Sequence, residues 1–188
     1  MKCISRIFKD KGNTKGFTLI EGMVAISILA ISVTAPLMIA QKGVASAIYA
    51  RDQITAFYLA QEAVEYIRNM RDTNRITGSA GWLDGLSLCF DTGAGEKCTI
   101  DARYSDPFTN PQAILSCPLS GCQPLLFDTT EGIYGYGSGW QQTKFTRTIS
   151  ISTPNSPKEA EIAVTISWNT NLFTPTRTFT IREHIFNY

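Results

Sequence analysis

From Gly22 to Gln41 the chain runs for twenty residues without a charged side chain, and Ile, Leu, Val, Ala and Met dominate the run. About twenty such residues are what an α-helix needs to cross the hydrocarbon core of a bilayer. Five of the 17 basic side chains (Lys2, Arg6, Lys9, Lys11 and Lys15) precede this run, against one acid, Asp10. A basic flank stays on the cytoplasmic side, so the N-terminus is predicted inside and the rest outside. The competing reading, a buried helix of a soluble domain, fits neither this length nor the one-sided charge. The remaining residues carry 12 basic and 15 acidic groups, a net of −3, which weighs against a polyanion-binding surface.

One carboxylate, Glu21, sits at the edge of the run. Charge in a bilayer costs about 2.5–3.5 kcal/mol at the centre of a helix on insertion scales and less near the interface, so an ionisable group here marks a function with a partner. A secretory signal would end its apolar stretch at a small-residue cleavage site, for which Ala45-Ser46-Ala47 is a candidate that would leave Ile48 first. That reading gives Glu21 no purpose. The local order is instead a basic leader, Gly16, then Phe17-Thr18-Leu19-Ile20-Glu21.

This order resembles the prepilin signature of the type IV pilin superfamily, over Gly16 to about Ala40. The resemblance implies that a prepilin peptidase cuts after Gly16 and that Phe17, the new first residue, is N-methylated. It further implies that Glu21 meets the positive N-terminus of a neighbouring subunit. Implied partners are other pilin subunits, the peptidase and the assembly platform of the cytoplasmic membrane. The resemblance also implies an extracellular or periplasmic filament as the destination. Three features depart from the family pattern. Gly22 stands where an apolar residue is common, and Pro36 comes slightly early. Cys122 lies 66 residues before the last residue, so no disulfide closes a loop there. The third points to a minor pilin or a type II secretion pseudopilin rather than a major subunit. The stretch Tyr58 to Arg75 is likewise similar to the lower helix of minor pilins.

Beyond the run, apolar residues recur near helical spacing at Val44, Ile48, Ala56, Ala60, Ala63, Ile67 and Met70. The spacing predicts one helix over Phe17–Asn74, about 85 Å at 1.5 Å per residue. Pro36 should bend it, since a proline cannot donate to the Ser32 carbonyl. Glu65 and Arg68 are placed to pair at i, i+3. Residues 76–142 are rich in turn signals and read as a loop-rich insertion, with short strands near Leu86–Phe90 and Leu125–Phe127. Three strands follow with period two: Thr143–Ser152, Glu161–Trp168 and Thr176–Phe186, joined by turns at Pro154–Pro157 and Asn169–Pro175. The expected fold is α+β, pilin-like: a long N-terminal helix, transmembrane then amphipathic, packed on a small antiparallel sheet. The expected organisation is a cleaved leader at 1–16, a membrane or filament-core helix at 17–41 and an amphipathic helix at 42–75. The insertion at 76–142 and a three-stranded meander at 143–188 complete it.

Cys89, Cys98, Cys117 and Cys122 fall on the predicted outer side, where an even count favours two disulfides. Three connectivities are open, and the pairing Cys89–Cys98 with Cys117–Cys122 is favoured because it closes short loops. A four-thiolate zinc site lacks the CxxC spacing. Cys3 lies in the leader. His184, the single histidine, is expected on the polar face of the last strand. No nucleotide-binding, metalloprotease or nucleophile-elbow motif is present, and no catalytic residue, metal, cofactor or small-molecule substrate is expected. Gly93–Gly95 and Gly135–Gly139 are glycine loops without the context of a phosphate cradle. Asp101 and Asp106 flank a loop without an EF-hand pattern. Tyr134, Tyr136 and Trp140 could contact a surface, a glycan or single-stranded DNA, but packing onto the sheet is the favoured reading. Lys144, Arg147, Arg177 and Arg182 could form local basic patches for nucleic acid, although the net charge opposes it. The alternative function is an extracytoplasmic binding or adhesion protein that uses the N-terminal segment only as signal or anchor.

Overall fold

The computed structural model describes residues 16–79, 81–92, 95–104, 110, 112–153, 158–169 and 175–187. Leader residues 1–15 with Cys3, Gly93, Ala94, Asp106, the Pro154–Pro157 turn and residues 170–174 of the Asn169–Pro175 turn therefore lie outside the described residues. The chain divides into two compact units, residues 1–48 and residues 49–188. One helix, α1 (Leu19–Thr77), supplies the described structure of the first and opens the second.

In the first unit α1 is exposed on every side, with Gly22 alone half-buried. It is the one helix among the described residues long and apolar enough to cross a membrane. Its hydroxyls do not disturb that surface. Ser27 donates to the Met23 carbonyl at 2.8 Å, Ser32 to Leu29 at 2.8 Å and Thr34 to Ile31 at 3.1 Å. Each polar group is satisfied within its own turn, as an apolar solvent requires. Pro36 lies inside the helix, which continues past it.

In the second unit the helix buries one stripe: Ala56, Leu59, Ala60, Ala63, Val64, Ile67, Met70 and Asn74. The spacing is that of a single helical face, and three alanines let the backbone approach the sheet closely. The helix ends three residues later than the apolar spacing suggests. Gly78, with φ of 70°, takes the left-handed conformation, and the Ser79 N–H reaches the Asn74 carbonyl at 2.9 Å. That is a Schellman closure, for which a glycine is the favoured residue.

Among the described residues seven antiparallel strands form one sheet: β1 (Cys98–Ile100), β2 (Ile114–Ser116), β3 (Pro124–Asp128), β4 (Ile133–Gly135), β5 (Gln141–Ser152), β6 (Glu159–Trp168) and β7 (Arg177–Phe186). The twelve-residue β5 is its hub. β6 pairs along one edge, with β7 beyond it, while β1 and β3 share the other edge and carry β2 and β4 outward. On β6 the residues Ala160, Ile162, Val164, Ile166 and Trp168 are buried in strict alternation. These face the helix stripe together with Phe145, Ile149 and Ile151 of β5, and form one core.

The segment 76–142 is thus no appendage, because it contributes four strands to the same sheet as the meander β5–β7. Leu86–Phe90 is not a strand. Ser87–Cys89 forms a 3-10 turn, and Phe90 makes a single parallel bridge to Ile151. Cys89 is buried there and bonded to Cys98 on β1, while Cys117 and Cys122 close the short loop after β2. The fold is α+β, a helix packed on an antiparallel sheet.

Candidate assembly site

The N-terminal junction is open on all sides. Gly16 has no neighbour where a side chain would project, and Phe17 is 76% exposed. The helix starts two residues later because Thr18 caps it. The Glu21 N–H donates to Thr18 Oγ1 at 3.3 Å, and the Gly22 N–H to the Thr18 carbonyl at 3.1 Å. Thr18 and Glu21 have the spacing of a capping box, in which an acid three residues after a threonine sits at the positive end of the helix dipole. The Glu21 carboxylate is thus exposed at the start of the helix. The sequence carried this signal in T-x-x-E.

The second unit contains a different set of charges, several of which are paired within it. Arg147 on β5 is fully buried among the apolar side chains. Its guanidinium donates to the Leu59 carbonyl at 3.1 Å, to the Ile100 carbonyl at 2.7 Å and to Glu62 at 2.5 Å. One side chain therefore ties helix, β1 and β5 together. Lys144 reaches the buried Asp52 at 2.6 Å. Arg68 bonds Glu65 at 2.7 Å on the helix and also grips Glu183 on β7. Lys144, Arg147, Arg177 and Arg182, which could have formed local basic patches, are engaged elsewhere. Arg147 points into the core, Lys144 and Arg182 pair with Asp52 and Glu161, and Arg177 lies over the Tyr49 ring, 4.3 Å from its centre. The alternation of β5 already placed Arg147 on the apolar face with Phe145 and Ile149, and the alternation of β7 placed Glu183 with Ile181 and Ile185.

The glycine-rich aromatic stretch is likewise turned inward. Tyr134 packs against Phe127 and Phe145. The Tyr136 hydroxyl meets Thr99 Oγ1 at 2.9 Å. A Cβ at Gly137 would fall 2.4 Å from the Trp140 ring, so only glycine permits the indole to fold back there. Arg103 then covers that ring at 4.3 Å. Asp101 anchors the same corner, accepting from Arg103 and from the Tyr136 N–H at 3.0 Å. Burial pushes the Asp101 carboxyl upward, but these hydrogen bonds outweigh it and hold the group below its ordinary value. This arrangement leaves Asp101 committed to structure. His184 is exposed on the outer face of β7, 2.8 Å from Glu159. No group of three His, Cys, Asp or Glu side chains among the described residues is placed to hold a metal.

Residues 11–35 match the family model of the prokaryotic N-terminal methylation motif. The match takes in Gly16, Phe17, the Thr18 cap, Glu21 and the first turns of α1. No curated protein and no solved structure matches the chain. The chain thus carries a type IV pilin-like N-terminal segment of the kind processed as a prepilin, followed by a helix suited to single-pass anchoring in the inner membrane.

Proposed function

We propose that the chain is a structural subunit, a minor pilin or pseudopilin, of a type IV pilus-like or type II secretion filament. The observation that carries this reading is the matched motif at residues 11–35 running straight into an uncovered apolar helix. In this account a prepilin peptidase cuts between Gly16 and Phe17, and the Phe17 amine is methylated. Residues 17–41 serve first as the membrane anchor and then as filament core, with Pro36 as the point where the helix bends. The sheet-bearing unit stays outside the membrane.

Glu21 sets register. A carboxylate and an ammonium in an apolar setting attract strongly, and either left alone is heavily penalised. A subunit leaving the bilayer therefore comes to rest where Glu21 meets a neighbour's N-terminus. The Thr18 cap presents the carboxylate in a fixed first turn. Glu21→Ala tests this: membrane insertion persists while incorporation into sheared filaments falls at least tenfold. Undiminished incorporation would contradict the register role.

A further inference from the structure

The outward face of α1 changes character partway along the second unit. Ile54 and Tyr58 are 58% and 65% exposed, whereas from Gln61 to Arg75 the exposed positions are polar: Gln61, Glu65, Asn69, Asp72, Thr73 and Arg75. Arg51 opens this apolar patch, is exposed, and has no ion pair among the described residues. Its neighbour Asp52 is already committed to Lys144.

We propose, on the reading of this chain as an assembling subunit, that the Arg51–Tyr58 face docks on the Glu21–Ile28 face of a second copy, with Arg51 paired to Glu21. Charge and spacing carry the argument together. Glu21, Val24 and Ile28 follow one another at intervals of three and four residues, and so do Arg51, Ile54 and Tyr58. These intervals keep three residues on one helical face. Laid parallel and offset by thirty residues, about 45 Å at 1.5 Å per residue, the helices bring acid to base and apolar residue to apolar residue. Reversing one helix breaks the match. Copies inserted with the same end inside are necessarily parallel. Val24 and Ile28, 52% and 63% exposed, gain the cover that a helix leaving the bilayer needs. The guanidinium fork suits a carboxylate whose desolvation demands good geometry. Glu21 then joins two neighbours, one through its N-terminus and one through Arg51.

The test uses the full chain expressed with a prepilin peptidase, carrying Val24→Cys with Ile54→Cys, and mild oxidation of the membranes and filaments. The expected result is a disulfide-linked dimer of this chain. Arg51→Glu lowers it to the level given by Val24→Cys with Asp72→Cys, while Arg51→Lys retains most of it. Three outcomes overturn the proposal when the chain begins at Phe17: no 24–54 dimer, a dimer indifferent to Arg51→Glu, or cross-linking to a different protein only. A chain never cut at Phe17 overturns the assembly reading beneath it instead.

Discussion

The two stretches of α1, residues 19–48 and 49–77, share a backbone conformation and little else. In the first, Ile28 is 63% exposed and no face is preferred; in the second, Ile67 is fully buried on a single stripe. Hydroxyls in the first turn back onto their own helix, while charges in the second reach across to strands. An amphipathic helix carries its own partner surface and is complete once packed on a sheet. A helix apolar all round is complete only in lipid or among other helices. The difference between the halves of α1 separates the stretch that packs on the sheet from the stretch suited to anchoring in a membrane.

Four substitutions would break or sharpen that contrast. The largest effect belongs to Arg147→Ala, which removes a buried cation and strands two carbonyls and Glu62; breaking such a site costs about 3–5 kcal/mol. Denaturant titration of the full chain in detergent micelles should show the loss, and a change below 1 kcal/mol would mean that Arg147 is dispensable. Next comes a matched pair. Ile67→Ala should cost about 2–5 kcal/mol through the cavity it leaves, whereas Ile28→Ala should leave the same unfolding midpoint unmoved. Equal effects would erase the distinction between the stretches. The smallest effect concerns acid. Asp101 titrates below its unfolded value of about 3.9, so its contribution is present above that pH and lost as pH falls through the lower folded value. Asp101→Asn should lower stability at neutral pH and flatten the decline below about pH 4. A variant with the wild-type acid profile would remove Asp101 from the account.

Much of this was legible in the sequence because long periodic segments announce themselves. The apolar run, the helical spacing through Met70 and the alternation of β5 to β7 each repeat often enough to fix an element. The helix end was misjudged by three residues because Thr77-Gly78 signals a left-handed cap by one glycine rather than by periodicity. β1, β2 and β4 are three residues each, too short for alternation to show among turn residues; β1 takes its place on the edge of β5, and β2 and β4 pair in turn with β1 and β3. Alternation alone puts Arg147 on the apolar face of β5, but its buried role is not legible, since composition says nothing of three acceptors brought together from residues 59, 62 and 100. At the junction the opposite holds. G-F-T-L-I-E states its chemistry locally, and the structure adds the Thr18 cap that explains the placement of the acid.

The central claim is that the chain is a prepilin whose apolar helix begins its mature life at Phe17. Intact-mass and N-terminal analysis of the chain from membranes that contain a prepilin peptidase tests it directly. The account predicts a first residue of Phe17 carrying one methyl group on its amine. A chain beginning at Ile48, or one still retaining its leader in the presence of the active peptidase, would contradict it.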